Sequence, residues 1–126
     1  MCRMPRYPGL TLRVMARDFP AMGPGKAALI AEIDKTGSIS AAARAMRMSY
    51  RRAWQLVEAI NGSFAEPVVL TAIGGKRGGG AVVTAFGRRL LAQYHVMETK
   101  ATAAIASDLK QFSRHLRKPP ARRDAD

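Results

Sequence analysis

Arg51 and Arg52 stand side by side near the start of a segment with helical period. Their window, from Ile39 to Ala53, also holds Arg44 and Arg47 and contains no acid. A guanidinium carries a planar fork of donors, so two of them at a helix start suit guanine O6 and N7 or a backbone phosphate. Half or more of protein–DNA hydrogen bonds go to phosphate and sugar, so one arginine is expected to read a base and the other to take a phosphate. Gln55, one turn on, is a base reader or a solvent-facing residue. Tyr50 packs on a sugar or a thymine methyl, or covers the edge of a core. Ser49 bonds a phosphate or caps its own helix. Ser38 and Ser40, before a short alanine-rich helix, are cap candidates of the same kind and join the DNA-binding set.

A second constellation is Gly74-Gly75-Lys76-Arg77-Gly78-Gly79-Gly80. Glycine lets backbone approach a phosphate, and the two cations reach past it to flanking phosphate or the minor groove; the alternative is a solvated loop. Catalytic readings of this loop fail on spacing. Leu70 stands where a P-loop needs its first glycine, Arg77 follows the lysine in place of Ser or Thr, and Val83 fills the last position of a GxGxxG pattern. His95 and His115 ride one predicted helix, Asp108 is a surface charge, and Cys2 is the sole cysteine, so no nucleophilic triad, disulfide framework or metal-ligand pattern emerges. The chain is expected to be no enzyme and to need neither cofactor nor metal.

These residues need elements to hold them. Leu10, Leu12 and Val14 alternate with Thr11, Arg13 and Met15, the period of a half-buried strand, and the stretch from Ala16 to Gly25 reads as turns. A first helix is expected over about 25–36, stopped by Gly37. A short helix follows to about Met46, with Ala42, Ala43 and Met46 on its buried side. A tight connection through Arg47 and Met48 leads to a longer helix from Ser49 to about Asn61, ended by Gly62, with Ala53, Leu56, Val57 and Ile60 inward and Trp54 in the core. Two short helices on a three- or four-residue turn make a helix-turn-helix whose second helix is basic at its start. Strands over 68–72 and 81–83 flank the glycine loop as a small wing. Thr84 caps a helix expected to run unbroken from Ala85 to about Leu116, with Phe86, Leu90, Tyr94, Met97, Ala101, Ile105, Leu109 and Phe112 on one stripe. A domain this small cannot bury so long a stripe, which therefore predicts pairing between subunits.

The whole chain of 126 residues carries a net charge of +12 with 48% hydrophobic residues, a globular composition facing a polyanionic partner. Two further windows, from Val68 to Ala92 and from Lys110 to Arg123, are also basic and free of acid. No apolar run is long enough for a membrane and the first residues lack a signal peptide's apolar region, so a cytoplasmic, nucleoid-associated protein with no membrane partner is expected. Its parts are an N-terminal arm (1–24), a DNA-binding unit (25–84), a dimerisation helix (85–116) and a basic disordered tail (117–126).

In this order, the segments GPGK (23–26), TGSISAAARAM (36–46), MSYRRAW (48–54) and GGKRGGGAVVTAFGRRLL (74–91) resemble the N-terminal DNA-binding domain of the ModE family of molybdate-responsive bacterial regulators. The resemblance covers about residues 10–101. It implies a LysR-like winged helix-turn-helix, mainly α with a small β wing, and a long C-terminal helix for dimerisation. Ser49, Tyr50, Arg51 and Arg52 would begin the recognition helix, and Lys76 and Arg77 would sit in the wing. The expected partners are double-stranded DNA and a second copy of the chain. Members of that family continue into oxyanion-binding domains; this sequence ends at Asp126, so molybdate is not expected to bind it directly. The alternative is an interaction protein that heterodimerises with a full-length regulator and modulates its DNA binding.

Overall fold

A computed structural model describes residues 9–72 and 80–117. Helix α1 (Pro24–Thr36) starts at a proline, whose missing N–H costs nothing there, and ends where Gly37 adopts φ 71°, donating its N–H to Ile33 O. Helix α2 (Ile39–Ala45) is capped by Ser38, whose Oγ accepts from the Ala41 amide, and helix α3 (Tyr50–Ser63) by Ser49, whose Oγ accepts from the Arg52 amide. Between them, Arg47 N–H donates to Arg44 O and Met48 N–H to Ala43 O. That pair of bonds closes the α2 C-terminus as a Schellman motif. Arg47 holds the left-handed position at φ 58°, at a cost of about 1–2 kcal/mol for a residue with a Cβ.

Strands β3 (Val69–Thr71) and β4 (Ala81–Val83) pair antiparallel, Val69 opposite Val83. Leu29, Ile30, Ile33, Val57, Ile60, Val68, Val69 and Val83 form the centre of one core, with Ala42, Ala43 and Ala53 letting α1, α2 and α3 approach closely. The small side chains decide that geometry. Helix α4 (Ala85–Ala104) is seated on the β3–β4 pair by Thr84, whose hydroxyl donates to Pro67 O and accepts from the Gly87 amide. A Cβ on Gly87 would lie 2.6 Å from Val68 O and 2.9 Å from Cγ1 of both Val68 and Val83. Gly87→Ala should therefore destabilise the fold by about 1–3 kcal/mol, as overpacking against backbone does, measurable in urea unfolding. An alanine variant as stable as the parent would contradict this seating.

Three expectations need correction. The N-terminal strand lies further along than the alternation of Leu10 to Val14 suggested: β1 (Val14–Ala16) pairs with β2 (Phe19–Met22), inside the stretch read as turns, around a turn with Arg17 at φ 60°. The alternation did report facing correctly, because Leu10, Leu12 and Val14 are half-buried while Thr11, Arg13 and Met15 are exposed, but the ladder bonds begin only at Val14. Met22 is buried in the core, and Leu12 and Val14 pack on it. Helix α3 runs through Gly62 to Ser63, because Gly62 stays helical and the chain turns extended only at Phe64. The C-terminal helix is two: Ile105, at φ −113° and ψ 16°, separates α4 from α5 (Ala106–Ser113). No residue of α5 is buried among the described residues.

Tyr94 ties the two ends of the domain together. Its hydroxyl donates to Leu12 O at 2.6 Å and the residue is 3% exposed. Burial first, then the Glu98 carboxylate, pushes the phenol up from 10.0 to about 12. The folded state thus favours the neutral form, so this contribution to stability is complete below the unfolded value near pH 10 and is lost as pH rises through about 12. Alkaline unfolding followed by circular dichroism should lose that segment in Tyr94→Phe; an unchanged profile would rule out Tyr94 as its source.

Candidate nucleic-acid interface

The exposed side of the first two turns of α3 gathers Tyr50, Arg51, Arg52 and Gln55, with Tyr50 56% exposed. Ala53, Val57 and Ile60 on the opposite side are fully buried, and Trp54 is half-buried against the core. The amphipathic division of α3 is thus what aims the arginines outward. On α2, Ser40 Oγ accepts from Arg44 Nη1 at 3.2 Å and both residues are exposed. Arg47 is exposed at the connection between the two helices. Among the described residues, no carboxylate pairs with Arg44, Arg47, Arg51 or Arg52. The acids that do find partners lie elsewhere: Asp34 accepts from Arg88 Nε and Nη2 at 3.2 and 3.0 Å, bridging α1 and α4, and Glu98 meets His95 on α4.

The serines divide by role. Ser38 and Ser49 spend their oxygens on helix caps, whereas Ser40 faces solvent beside Arg44. Lys76 and Arg77 lie outside the described residues; the pairing of β3 with β4 and the bond from Ala72 N–H to Gly80 O set the two ends of their segment side by side.

The dimerisation stripe is not one surface. Phe86 and Leu90 pack partly buried on the core and Tyr94 is inside it, so these three serve the protomer's own fold. Beyond them Met97 and Phe112 are 44% and 64% exposed, Ala101, Ile105 and Leu109 are half-buried, and Val96 and Leu116 add further exposed apolar surface. Apolar area on α4 and α5 is thus left exposed on the protomer.

A feature that sequence reasoning missed lies beside α3. Arg13 from the residue just before β1, Lys26 from α1 and Arg52 from α3 line a concavity of about 320 Å³, with Pro20, Gly23, Pro24, Gly25, Met46, Met48 and Leu56. Lys26 Nζ donates to Pro20 O at 2.6 Å, and partial burial, then the Arg52 charge, hold its ammonium below the usual lysine range. The GPGK run was visible in the sequence, but nothing in it announced that Arg13 and Arg52 would join it. Among the described residues no group of three His, Cys, Asp or Glu side chains is placed to hold a metal ion, and no helix is long and apolar enough to cross a membrane.

No protein-family model matches the chain. It is 46% identical over 108 residues to the molybdenum-pterin-binding protein MopB of Rhodobacter capsulatus, a match covering 86% of this chain and 38% of that protein. It is 40% identical over 90 residues to the transcriptional regulator ModE of Yersinia pestis, covering 71% and 34%. It is 34% identical over 102 residues to the DNA-binding transcriptional dual regulator ModE of Escherichia coli K12, covering 79% and 38%. The chain spans little more than a third of the length of these curated relatives. Over that shared stretch, it is a homologue of the ModE- and Mop-named proteins.

Proposed function

We propose that this chain is a sequence-specific duplex-DNA-binding transcriptional regulator acting in molybdenum metabolism. It folds as a winged helix-turn-helix in which α2 and α3 form the helix pair and β3–β4 the wing. The observation that carries this reading is the exposed face formed by Tyr50, Arg51, Arg52 and Gln55 on α3, with Arg44 and Arg47 beside it, whose arginines pair with no carboxylate among the described residues. Helix α3 enters the major groove by its N-terminal end, and Lys76 and Arg77 take flanking phosphate or the minor groove. Two protomers associate through the exposed apolar positions of α4 and α5, presenting two copies of α3 to half-sites on one face of the duplex. No catalytic step belongs to this reading. The molybdenum link comes from the names of the relatives. The expectation that molybdate does not bind this chain directly stands against the name of MopB, and the proposed function does not depend on it.

Pull-down of the protein with its bound genomic DNA, followed by sequencing, tests the reading. A shared motif upstream of molybdate-transport or molybdoenzyme genes is expected, and recovery of no enriched sites would refute specific binding. On the recovered site, Arg51→Ala or Arg52→Ala should relax preference at one base pair by about 1–3 kcal/mol, whichever arginine is the reader. If neither variant changes base preference in a competition assay, the assignment of α3 to the groove is wrong. The exposed Val96, Met97, Phe112 and Leu116 also suit pairing with a longer regulator. DNA binding by the purified chain alone separates the two, because a modulator needs its partner to bind.

A further inference from the structure

We propose that the concavity between the β1–β2 hairpin, the start of α1 and the first turn of α3 is an oxyanion site, in which Arg13, Lys26 and Arg52 hold a backbone phosphate of the bound duplex. The inference rests on the DNA-binding reading and extends the contact surface to a part of the chain that no recognition-helix or wing argument reaches. Three cations from three separate elements converge on one hollow of about 320 Å³, and among the described residues no carboxylate lines it. Like charges brought together without a counter-charge repel one another, and a bound anion removes that repulsion. Partial burial first, and then the Arg52 charge, already disfavour the charged form of Lys26.

Lys26 uses one of its three donors on Pro20 O, which anchors the ammonium at the mouth of the hollow and leaves two for a ligand. The Arg13 stem lies against Gly23, with Nε 3.5 Å and Cγ 3.7 Å from where a Cβ would stand, so the hairpin carries this guanidinium over the start of α1. Gly25 has nothing within 4 Å of its Cβ position, leaving the approach open. Met46, Met48 and Leu56 supply an apolar wall against which a deoxyribose can rest. The site is made by the three side chains, not by the helix end. Because Arg52 is shared between the hollow and the exposed face of α3, a phosphate held here belongs to the strand bordering the groove that α3 enters.

The test compares the parent chain with the double variant Arg13→Gln/Lys26→Gln, with Lys26→Arg, and with Lys35→Gln at the far end of α1 as control. Affinity for a mixed-sequence duplex is measured across salt concentrations. Losing one phosphate contact should lower the slope of log K against log salt by about 0.9 per protomer, with base preference unchanged. Lys26→Arg and Lys35→Gln should keep the parent slope, and thermal melts identify any variant that fails to fold. In parallel, inorganic phosphate is titrated into the parent and the double variant while the amide resonances of Gly23, Gly25 and Lys26 are followed. An unchanged DNA slope with phosphate shifts seen only in the parent assigns the site to a free oxyanion. An unchanged slope with no phosphate shifts overturns the proposal. A parent chain that titrates with phosphate but binds no duplex overturns the DNA reading and leaves the site standing.

Discussion

If the proposed function holds, raising salt from about 50 to about 200 mM should lower the affinity of the proposed dimer for duplex DNA by about a thousandfold or more. Each phosphate neutralised by Lys or Arg releases condensed counterions, and about six to ten such contacts give losses of about 10³ to 10⁵ over that range. The charge available per protomer is legible residue by residue. Arg44, Arg47, Arg51 and Arg52 are exposed and meet no carboxylate among the described residues, and Lys76 and Arg77 add two more in sequence. Arg88 does not count toward the total, because Asp34 already holds it. Two protomers therefore bring enough cations for six to ten contacts with some unused. Fluorescence anisotropy on a labelled duplex at four or five salt concentrations measures the slope. A flat plot would mean that the +12 charge has another use, and the proposed function would fall with it.

Asn61→Ala should cost about 2–4 kcal/mol of folding stability. The Asn61 side chain reaches from the last turns of α3 to the start of β3, where Oδ1 accepts from the amides of Val68 and Val69 at 2.8 and 3.0 Å and Nδ2 donates to Val69 O at 2.8 Å. Both valines are buried, at 0% and 1% exposure, so water cannot easily replace the lost partner. A buried donor left without an acceptor costs about 1–3 kcal/mol, well above the worth of an ordinary exchangeable bond. Guanidinium unfolding gives the difference directly, and the melting temperature should fall by roughly 10 °C or more. Native-state hydrogen exchange supplies a local check, since the Val68 and Val69 amides should lose protection before the rest of β3–β4. A loss under about 1 kcal/mol would show that the loop between α3 and β3 is not held by this residue.

Asn61 also shows where reading the residues in order runs short. It sits close to a glycine, and the pair looks like a helix end; in the folded chain the glycine remains helical and the asparagine is a bracket between a helix and a strand. The helix starts were accessible because a cap acts within three residues: Ser38, Ser49 and Thr84 all cap as their spacing implied. The stop at Gly37 was accessible for the same reason. The break at Ile105 was not, because an apolar stripe continues across it. For the candidate interface, the amphipathic period placed Tyr50, Arg51, Arg52 and Gln55 on the exposed side of α3, whereas nothing local linked Arg13 to Lys26 and Arg52.

By itself, the sequence determined what is local: the caps, the period of each helix, the β3–β4 pair around its glycine segment, and the basic excess with its acid-free windows. The tertiary structure decided what depends on contacts between distant positions. Tyr94 reaches Leu12 across 82 residues, Arg88 meets Asp34 across 54, and Gly87 is needed because Val68 O lies where a Cβ would stand. It also decided that Tyr94 serves the core and that three cations share one hollow. The physical reason is range. Propensity, capping and periodicity act within a turn or two of the chain, whereas these contacts exist only once burial of the shared core has brought separate elements together.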